Sequence, residues 1–418
     1  MSDKVASHNP LNLILFIASL GGFLLTIVLS VIIVFIYLFS DSAEVSNGLD
    51  YSITTAASIA FIGMCALPTS ILSLRALLGR SPFPPRSASS LWLISLVLLP
   101  LTLILGHFAF ELGFYPNLLG PPAHILTALV PTLIAVIIVR RYGPPYSPRR
   151  LWAQFLAGVW AIPFTSFLFE IVFLIPTVIA IIVSLMNSDV GRNFVRIMTN
   201  PDRWLDPQAY EVALQILGQP SIILIILGYV VILVPLIEEA AKTMAIWPFL
   251  RRRLSPVSAF VGGAIGGAAY GLFEALFLTQ PGPAWTTTMI ARVGATMMHS
   301  FTAGLASWGL NQAVLNRKWG VFGRAYFGAV FMHAFWNGVA LVISFSTITS
   351  DNLLINFTPS MLHMMNFSGV VLLAILSGIA LVGLIRIPRR LARDNEHTEL
   401  EKSLETPEEL ADRGEIVN

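Results

Sequence analysis

Long runs of apolar residues, separated by short polar loops, dominate the chain. Ten of these runs approach or exceed the length of about 20 residues that an α-helix needs to cross a bilayer. We predict an all-α fold, a polytopic transmembrane helical bundle of about ten spans. The predicted spans cover residues 11–39, 53–78, 91–112, 125–139, 156–185, 222–250, 257–278, 288–310, 321–345 and 361–385.

Charge alternates between successive loops, and every second loop is basic. The positive-inside rule assigns basic loops to the cytoplasm, so both termini are predicted to be cytoplasmic in a multi-pass protein of the cell membrane. An even number of spans follows. The basic loops carry Arg75, Arg80 and Arg86; Arg140, Arg141, Arg149 and Arg150; residues 251–253; Arg317, Lys318 and Arg324; and Arg386, Arg389 and Arg390.

The composition agrees with this interpretation and narrows it. Hydrophobic residues make up 56% of the chain and charged residues only 11%, a balance that excludes a soluble globular protein. The single cysteine, Cys65, excludes an intramolecular disulfide framework and a cysteine-based zinc site. The first apolar run is longer than a signal-peptide core and lacks a small-residue cleavage site, so we predict a retained span. The bilayer is an expected partner, and nucleic acid is not.

The sixth run contains three ionisable residues far from its ends: Glu238, Glu239 and Lys242. A charge near the bilayer centre costs roughly 2.5 to 3.5 kcal/mol. On a helix, Lys242 lies within reach of both carboxylates, at spacings of four and three residues. An ion pair that only helps helices to assemble would explain one Glu and one Lys. The second carboxylate leaves a negative charge uncompensated, so we expect partners elsewhere in the chain.

Further polar residues occur inside the next three runs: Glu274, His299, and His333 with Asn337. His333 and Asn337 are four residues apart and share a helix face. Alone, a buried His is usually a packing residue, and an intramembrane Asn usually joins two helices. Burying all of them without mutual contacts would be costly, which favours one shared polar pocket. By residue count, Glu274 lies nearest the outer side.

Three other acidic or basic groups are predicted to lie at the outer interface and not in this pocket: Glu170, His107 and Glu111. Several glycines of the seventh run are predicted to permit close helix contact. Gly263 and Gly267 have the small-xxx-small spacing that is typical of such contacts.

The predicted pocket suits hydrolysis. A carboxylate can act as general base toward water, a second acid can protonate the leaving amine, and His and Asn can donate to an oxyanion. Alternatively, Glu239, His299 and His333 could hold a divalent metal such as zinc, with metal-bound water as nucleophile. The residues leave both mechanisms open, including one with no metal. Other membrane-protease signatures are absent: the sequence has no H-E-x-x-H, G-x-G-D or G-x-S-x-G motif.

Four segments carry a resemblance to a known family: Glu238-Glu239-x-x-Lys242, Gly271-Leu-Phe-Glu274, the run around His299, and His333-Ala-Phe-Trp336-Asn337. In this order they resemble the motifs of the PrsW family of bacterial intramembrane proteases, which is related to CAAX prenyl endopeptidases and bacteriocin-processing membrane proteins. The resemblance extends over residues 235–339. It implies an integral membrane endopeptidase that acts on a membrane protein or peptide substrate. The implied catalytic positions are Glu238, Glu239, Glu274, His299, His333 and Asn337, with Lys242 in support.

Within that set we expect Glu239 to activate water, with Glu238 held beside it by Lys242. The family is commonly described as metalloproteases, whereas its CAAX relatives are argued to use glutamate chemistry without metal. We expect residues 1–220 to form accessory spans, 221–346 the catalytic core, 347–385 the last span and 386–418 a charged cytoplasmic tail. The rival hypotheses are a proton-coupled transporter and a non-catalytic scaffold of the same fold.

Overall fold

The structure is a computed structural model that describes residues 10–39, 52–84, 92–186, 188–200, 207–250, 254–279, 281–347 and 358–404. These residues form helices and turns without a β-strand, which confirms the predicted all-α class. Some residues used in the predictions lie outside the described ranges: Arg86 and residues 251–253 of the basic loops, and residues 405–418 of the predicted tail. Three helices contain wider π-helical turns, at His107–Glu111, Ala157–Ala161 and Gly228–Leu233.

The helices, numbered in chain order, are α1 (Pro10–Phe39), α2 (Ser52–Met64), α3 (Leu67–Leu77), α4 (Trp92–Gly106), α5 (Pro116–Arg141), α6 (Pro148–Leu156), α7 (Ile162–Leu185), α8 (Asp189–Met198), α9 (Pro207–Leu217), α10 (Pro220–Leu227), α11 (Val234–Lys242), α12 (Trp247–Leu250), α13 (Pro256–Phe277), α14 (Trp285–Asn316), α15 (Trp319–Thr347) and α16 (Pro359–Leu404).

Nine helical stretches in the described part of the chain are long and apolar enough to cross a membrane. They correspond to nine of the ten predicted runs. The tenth, at 288–310, lies in α14, which is long but more polar than the others. Many of its side chains are buried against neighbouring helices, so this helix depends less on contact with lipid.

Several predicted boundaries differ from the structure, and the fourth span begins at Pro116 and not at residue 125. The fifth span begins at Pro148, because α6 continues through the π turn into α7 as one stretch to Leu185. At the other end of the chain, α16 continues beyond residue 385 to Leu404. Ile387 and Leu391 on this extension pack against the core, which explains why the helix does not stop at the end of the apolar run.

Helix α13 lies at the centre of the bundle, and nearly all its side chains are buried. Its glycines bring the neighbouring backbones close. A Cβ added at Gly267 would lie 2.5 Å from the Cβ of Ala303 on α14, closer than side chains can pack. One turn earlier, Gly263 approaches the same part of α14. The predicted role of these two glycines in close helix contact therefore agrees with the packing.

Candidate active site

The charged residues of the sixth run lie on α11, a short helix between two irregular turns. A π turn at Gly228–Leu233 precedes it, and a 3₁₀ turn at Thr243–Ala245 follows it. Pro235, in the first turn of α11, has no N–H to donate to the preceding turn, and π turns of this kind are frequent at functional sites. Glu238, Glu239 and Lys242 are all buried in the interior of the bundle.

Lys242 is at the centre of the site. Its Nζ lies 2.7 Å from Oε1 of Glu239 and 3.3 Å from Oε2 of Glu238, so both carboxylates reach it as the spacing predicted. The same nitrogen lies 2.7 Å from Nδ1 of His299 and 3.5 Å from Nδ1 of His333. Side chains from three helices therefore converge on one ammonium group that is fully buried.

Each histidine is also held by a carboxylate. Nε2 of His299 lies 2.7 Å from Oε2 of Glu274, and Nδ1 of His333 lies 2.9 Å from Oε1 of Glu239. The two imidazole rings are perpendicular, with centroids 4.9 Å apart. Glu274, which residue counting placed nearest the outer side, is thus brought into the cluster, because α13 and α14 pack closely enough for it to reach His299.

Sequence reasoning missed two residues of the site. Arg292 on α14 has Nη1 3.3 Å from Oε2 of Glu274. It is seven residues, or two turns, before His299, and that spacing could have identified it. Tyr270 on α13 packs edge-to-face with His299, and the ammonium of Lys242 lies 4.9 Å from the centroid of its ring. It precedes Glu274 by one helical turn.

Two buried carboxylate oxygens in the site have no hydrogen bond among the described residues, Oε2 of Glu238 and Oε2 of Glu239. Oε2 of Glu238 is nevertheless paired with the ammonium of Lys242 at 3.3 Å, whereas the ion pair of Glu239 with Lys242 uses its other oxygen, Oε1. A buried carboxylate oxygen without a partner is costly. Oε2 of Glu239 therefore marks the position where a water molecule would be most stabilised.

Asn337 lies close to the site, but its contacts differ from those that we predicted. Its Nδ2 donates to the backbone carbonyl of Val230 in the π turn, at 3.0 Å. From the same helix, Tyr326 donates its hydroxyl to the carbonyl of Leu236, at 2.7 Å. No hydrogen bond or ion pair within the described ranges joins Asn337 to the charged cluster. Helix α15 therefore braces the segment that carries Glu238 and Glu239.

Glu170 lies closer to the site than we predicted. Its backbone carbonyl accepts a hydrogen bond from the hydroxyl of Tyr229, in the π turn before α11, at 2.9 Å, and its Oε1 is buried without a hydrogen-bond partner in the described chain. The interfacial position assumed a helix that starts near Arg150 at the membrane surface. The helical stretch from Pro148 to Leu185 has 38 residues, about 57 Å at 1.5 Å per residue, which is longer than the bilayer core of about 30 Å requires, so the distance from Arg150 does not fix the depth of Glu170.

His107 and Glu111 have a separate role. They bond to each other at 2.8 Å, and Oε1 of Glu111 accepts a hydrogen bond from the backbone N–H of Thr286, also at 2.8 Å. Thr286 is in the first turn of α14, where a negative charge is favourable. These residues therefore anchor the beginning of α14, and they are not part of the cluster around Lys242.

Three side chains of the cluster could also hold a divalent metal. One ligand atom from each of Glu238, His299 and His333 lies within 4.8 Å of the others. Each histidine has one ring nitrogen on a carboxylate, an arrangement that commonly orients metal-binding histidines. The predicted set had Glu239 in place of Glu238. In the structure, the ammonium of Lys242 contacts both carboxylates and Nδ1 of His299, so it would have to move for either set to bind a metal.

The fold and the cluster define a polytopic membrane protein with a buried Glu–Lys–His site built by neighbouring helices. Residues 208–374, which are 167 of the 418 residues, match the family model described as PrsW family intramembrane metalloprotease. All the residues of the predicted site lie within this match, and the resemblance predicted from the four motifs is confirmed. No curated protein and no solved structure matches the chain.

Proposed function

We propose that the chain is an intramembrane endopeptidase that hydrolyses peptide bonds of membrane-protein substrates. The observation that carries the proposal is the convergence of four helices of the family-matched segment, α11, α13, α14 and α15, on one buried group of ionisable side chains. A proton-coupled transporter would bury the same residue types, but the match to a protease family favours hydrolysis. Substrate would reach the site within the plane of the bilayer.

In this proposal Glu239 is the general base. Its Oε1 is engaged by Lys242 and His333, which fixes the carboxylate, while Oε2 has no hydrogen-bond partner in the described chain and can accept a proton from water. The water oxygen attacks the scissile carbonyl carbon as its proton passes to Glu239. Glu238, held by Lys242 at 3.3 Å, keeps a second carboxylate beside the water. General-base catalysis of this kind contributes about 10²- to 10⁴-fold.

In the same proposal, the imidazole rings and Asn337 act on the scissile carbonyl group of the substrate. His299 is oriented by Glu274, and His333 by Glu239, so both rings are fixed before substrate binds. Asn337 has two N–H donors, one of which bonds to Val230. The second would donate to the oxyanion, together with His333. The proton taken by the base then passes to the leaving amine as the C–N bond breaks.

The family description as metalloprotease raises a second possibility for the same donors. Glu238, His299 and His333 would hold a divalent metal such as zinc, or Glu239 would take the place of Glu238 as predicted from the sequence. A bound metal would supply Lewis acidity and lower the pKa of water at the site. Glu274 would then keep its function of orienting His299.

The test is cleavage of single-pass membrane substrates by the purified full chain in liposomes. We expect Glu239→Gln and His333→Ala each to lose about 10² or more of the rate, with thermal unfolding showing that they remain folded. His363→Ala, at an exposed histidine of α16, is the matched control and should cleave like wild type. Chelation followed by metal add-back separates the two mechanisms. Equal cleavage by wild type and both site variants would refute the proposal.

A further inference from the structure

A second polar region lies apart from the cluster around Lys242, and most of its lining residues precede the family-matched segment. It is a cavity of about 640 Å³ between the beginning of α1, the end of α3 and the beginnings of α6 and α13. Four arginines line it: Arg75, Arg80, Arg149 and Arg150. No acidic residue of the described chain is among its lining residues. The cavity therefore has a strongly positive interior, although the chain as a whole is nearly neutral.

Two of these guanidinium groups are held in position by their surroundings. Arg150 stacks 4.5 Å from the ring centroid of Tyr146 and donates to the carbonyl of Ser258 at 3.2 Å. Arg75 stacks 4.4 Å from the ring centroid of Phe83. A planar guanidinium fixed by an aromatic ring loses little entropy when it binds a phosphate through two parallel hydrogen bonds.

The helix geometry adds to the positive potential. Ser147 caps the beginning of α6, and Ser255 caps the beginning of α13, each through its side-chain oxygen. Both serines line the cavity. Helix N-termini carry partial positive charge and favour anions. The arginines and the two helix termini thus act on the same volume.

One wall of the cavity is apolar. Leu11 and Leu15 of α1 and Leu72 of α3 line it, on helices that form part of two candidate membrane spans. A small hydrophilic anion would gain nothing from this wall. A molecule with an anionic head and hydrocarbon chains would bury both parts. Arginine-rich pockets at the basic side of helical membrane proteins are typical binding sites for anionic lipid head groups.

We propose that this cavity binds an anionic phospholipid. The phosphate group lies among Arg75, Arg80 and Arg150, and the acyl chains follow Leu11, Leu15 and Leu72 along α1 and α3. The bound lipid joins α3 and α6 to the beginning of α13. Because α13 carries Glu274 toward its other end, the lipid stabilises the central helix of the bundle without contacting the site.

The experiment compares the purified full chain in phosphatidylcholine vesicles with the same protein in vesicles that also contain phosphatidylglycerol. Thermal unfolding is measured, and bound lipid is counted by native mass spectrometry. We expect phosphatidylglycerol to remain bound and to raise the melting temperature in a concentration-dependent way. The double variant Arg75→Gln/Arg150→Gln should bind it at least about tenfold more weakly, as expected for the loss of charge-assisted hydrogen bonds.

Two controls keep the result interpretable. Arg141→Gln removes an exposed arginine of the neighbouring basic loop that does not line the cavity, and it should bind lipid like wild type. Arg75→Lys/Arg150→Lys keeps the charges without the planar forks and should bind with intermediate affinity. Unchanged binding by the Gln double variant would overturn the proposal. An equal shift when inorganic phosphate is added to the phosphatidylcholine vesicles would overturn the assignment to an anionic phospholipid.

Discussion

The approach of α14 to α13 at Gly267 can be tested by adding a single methyl group. In Gly267→Ala the new Cβ would lie closest to the carbonyl oxygen of His299, and it would lie 2.5 Å from the Cβ of Ala303. Ordinary contact begins at about 3.4 Å. The Ala303 contact alone requires helix α14 to move away by about 0.9 Å, the nearer His299 carbonyl requires more, and His299 moves with the helix.

The consequence for the site follows from this distance. Nε2 of His299 is now 2.7 Å from Oε2 of Glu274, and the full displacement along that bond would lengthen it beyond the hydrogen-bond limit of about 3.2 Å. Overpacking of this kind costs about 1 to 3 kcal/mol of stability. Misplacing a catalytic group by about 1 Å can reduce the rate about 10²-fold. We expect Gly267→Ala to fold, to melt at a lower temperature and to lose most of its cleavage activity.

The assay is substrate cleavage in liposomes, with thermal unfolding of the same preparation. Gly378→Ala on α16 is the matched control, because no described atom lies within 4 Å of a Cβ added there. It should keep full activity and gain up to about 1 kcal/mol from the better helix propensity of alanine. If Gly267→Ala cleaved and melted like Gly378→Ala, the close contact would not position the site.

Two further predictions concern the charged cluster and the hydrogen bond from Asn337 to Val230 beside it. Lys242→Met should destabilise the protein by about 3 to 5 kcal/mol, because it leaves two buried carboxylates without their cation. Adding Glu239→Gln should recover part of that loss in thermal unfolding, and a purely additive double variant would contradict the pairing. Asn337→Ala should lower both stability, by about 1 to 3 kcal/mol, and cleavage, since the carbonyl of Val230 loses its side-chain donor. Unchanged melting would contradict the bracing contact.

The sequence predicted the helical class because length and hydropathy suffice to identify most membrane spans. The exception is the predicted span at residues 288–310. Helix α14 is polar enough, with Arg292 and His299 on one face, to fall outside the apolar spans, yet it packs against the most buried helix of the bundle. The end of α16 was mispredicted for a related reason, since Leu391 contacts the core well beyond the apolar run.

For the site, the spacing of residues along one helix predicted which side chains are in contact, whereas the depth estimated by counting residues did not. The distances of three and four residues correctly joined Glu238 and Glu239 to Lys242. Residue counting did not show that Glu274 reaches His299, because that contact depends on how closely α13 and α14 pack. Which carboxylate shares a metal-binding geometry with the two histidines depends on side-chain rotamers, and these are not encoded in spacing.

The amino-terminal spans, which we predicted to be accessory, enclose the central helix of the matched segment. On one side of α13, Thr132 of α5 donates to the carbonyl of Ala268 at 3.3 Å, and Gly158 lies directly against Gly266. On the other side, Ser300 of α14 donates to the carbonyl of Ala264 at 2.9 Å. Without α5 and the π turn at Ala157–Ala161, one face of α13 would lose these contacts. The position of Glu274 therefore depends on helices that contribute none of the family motifs.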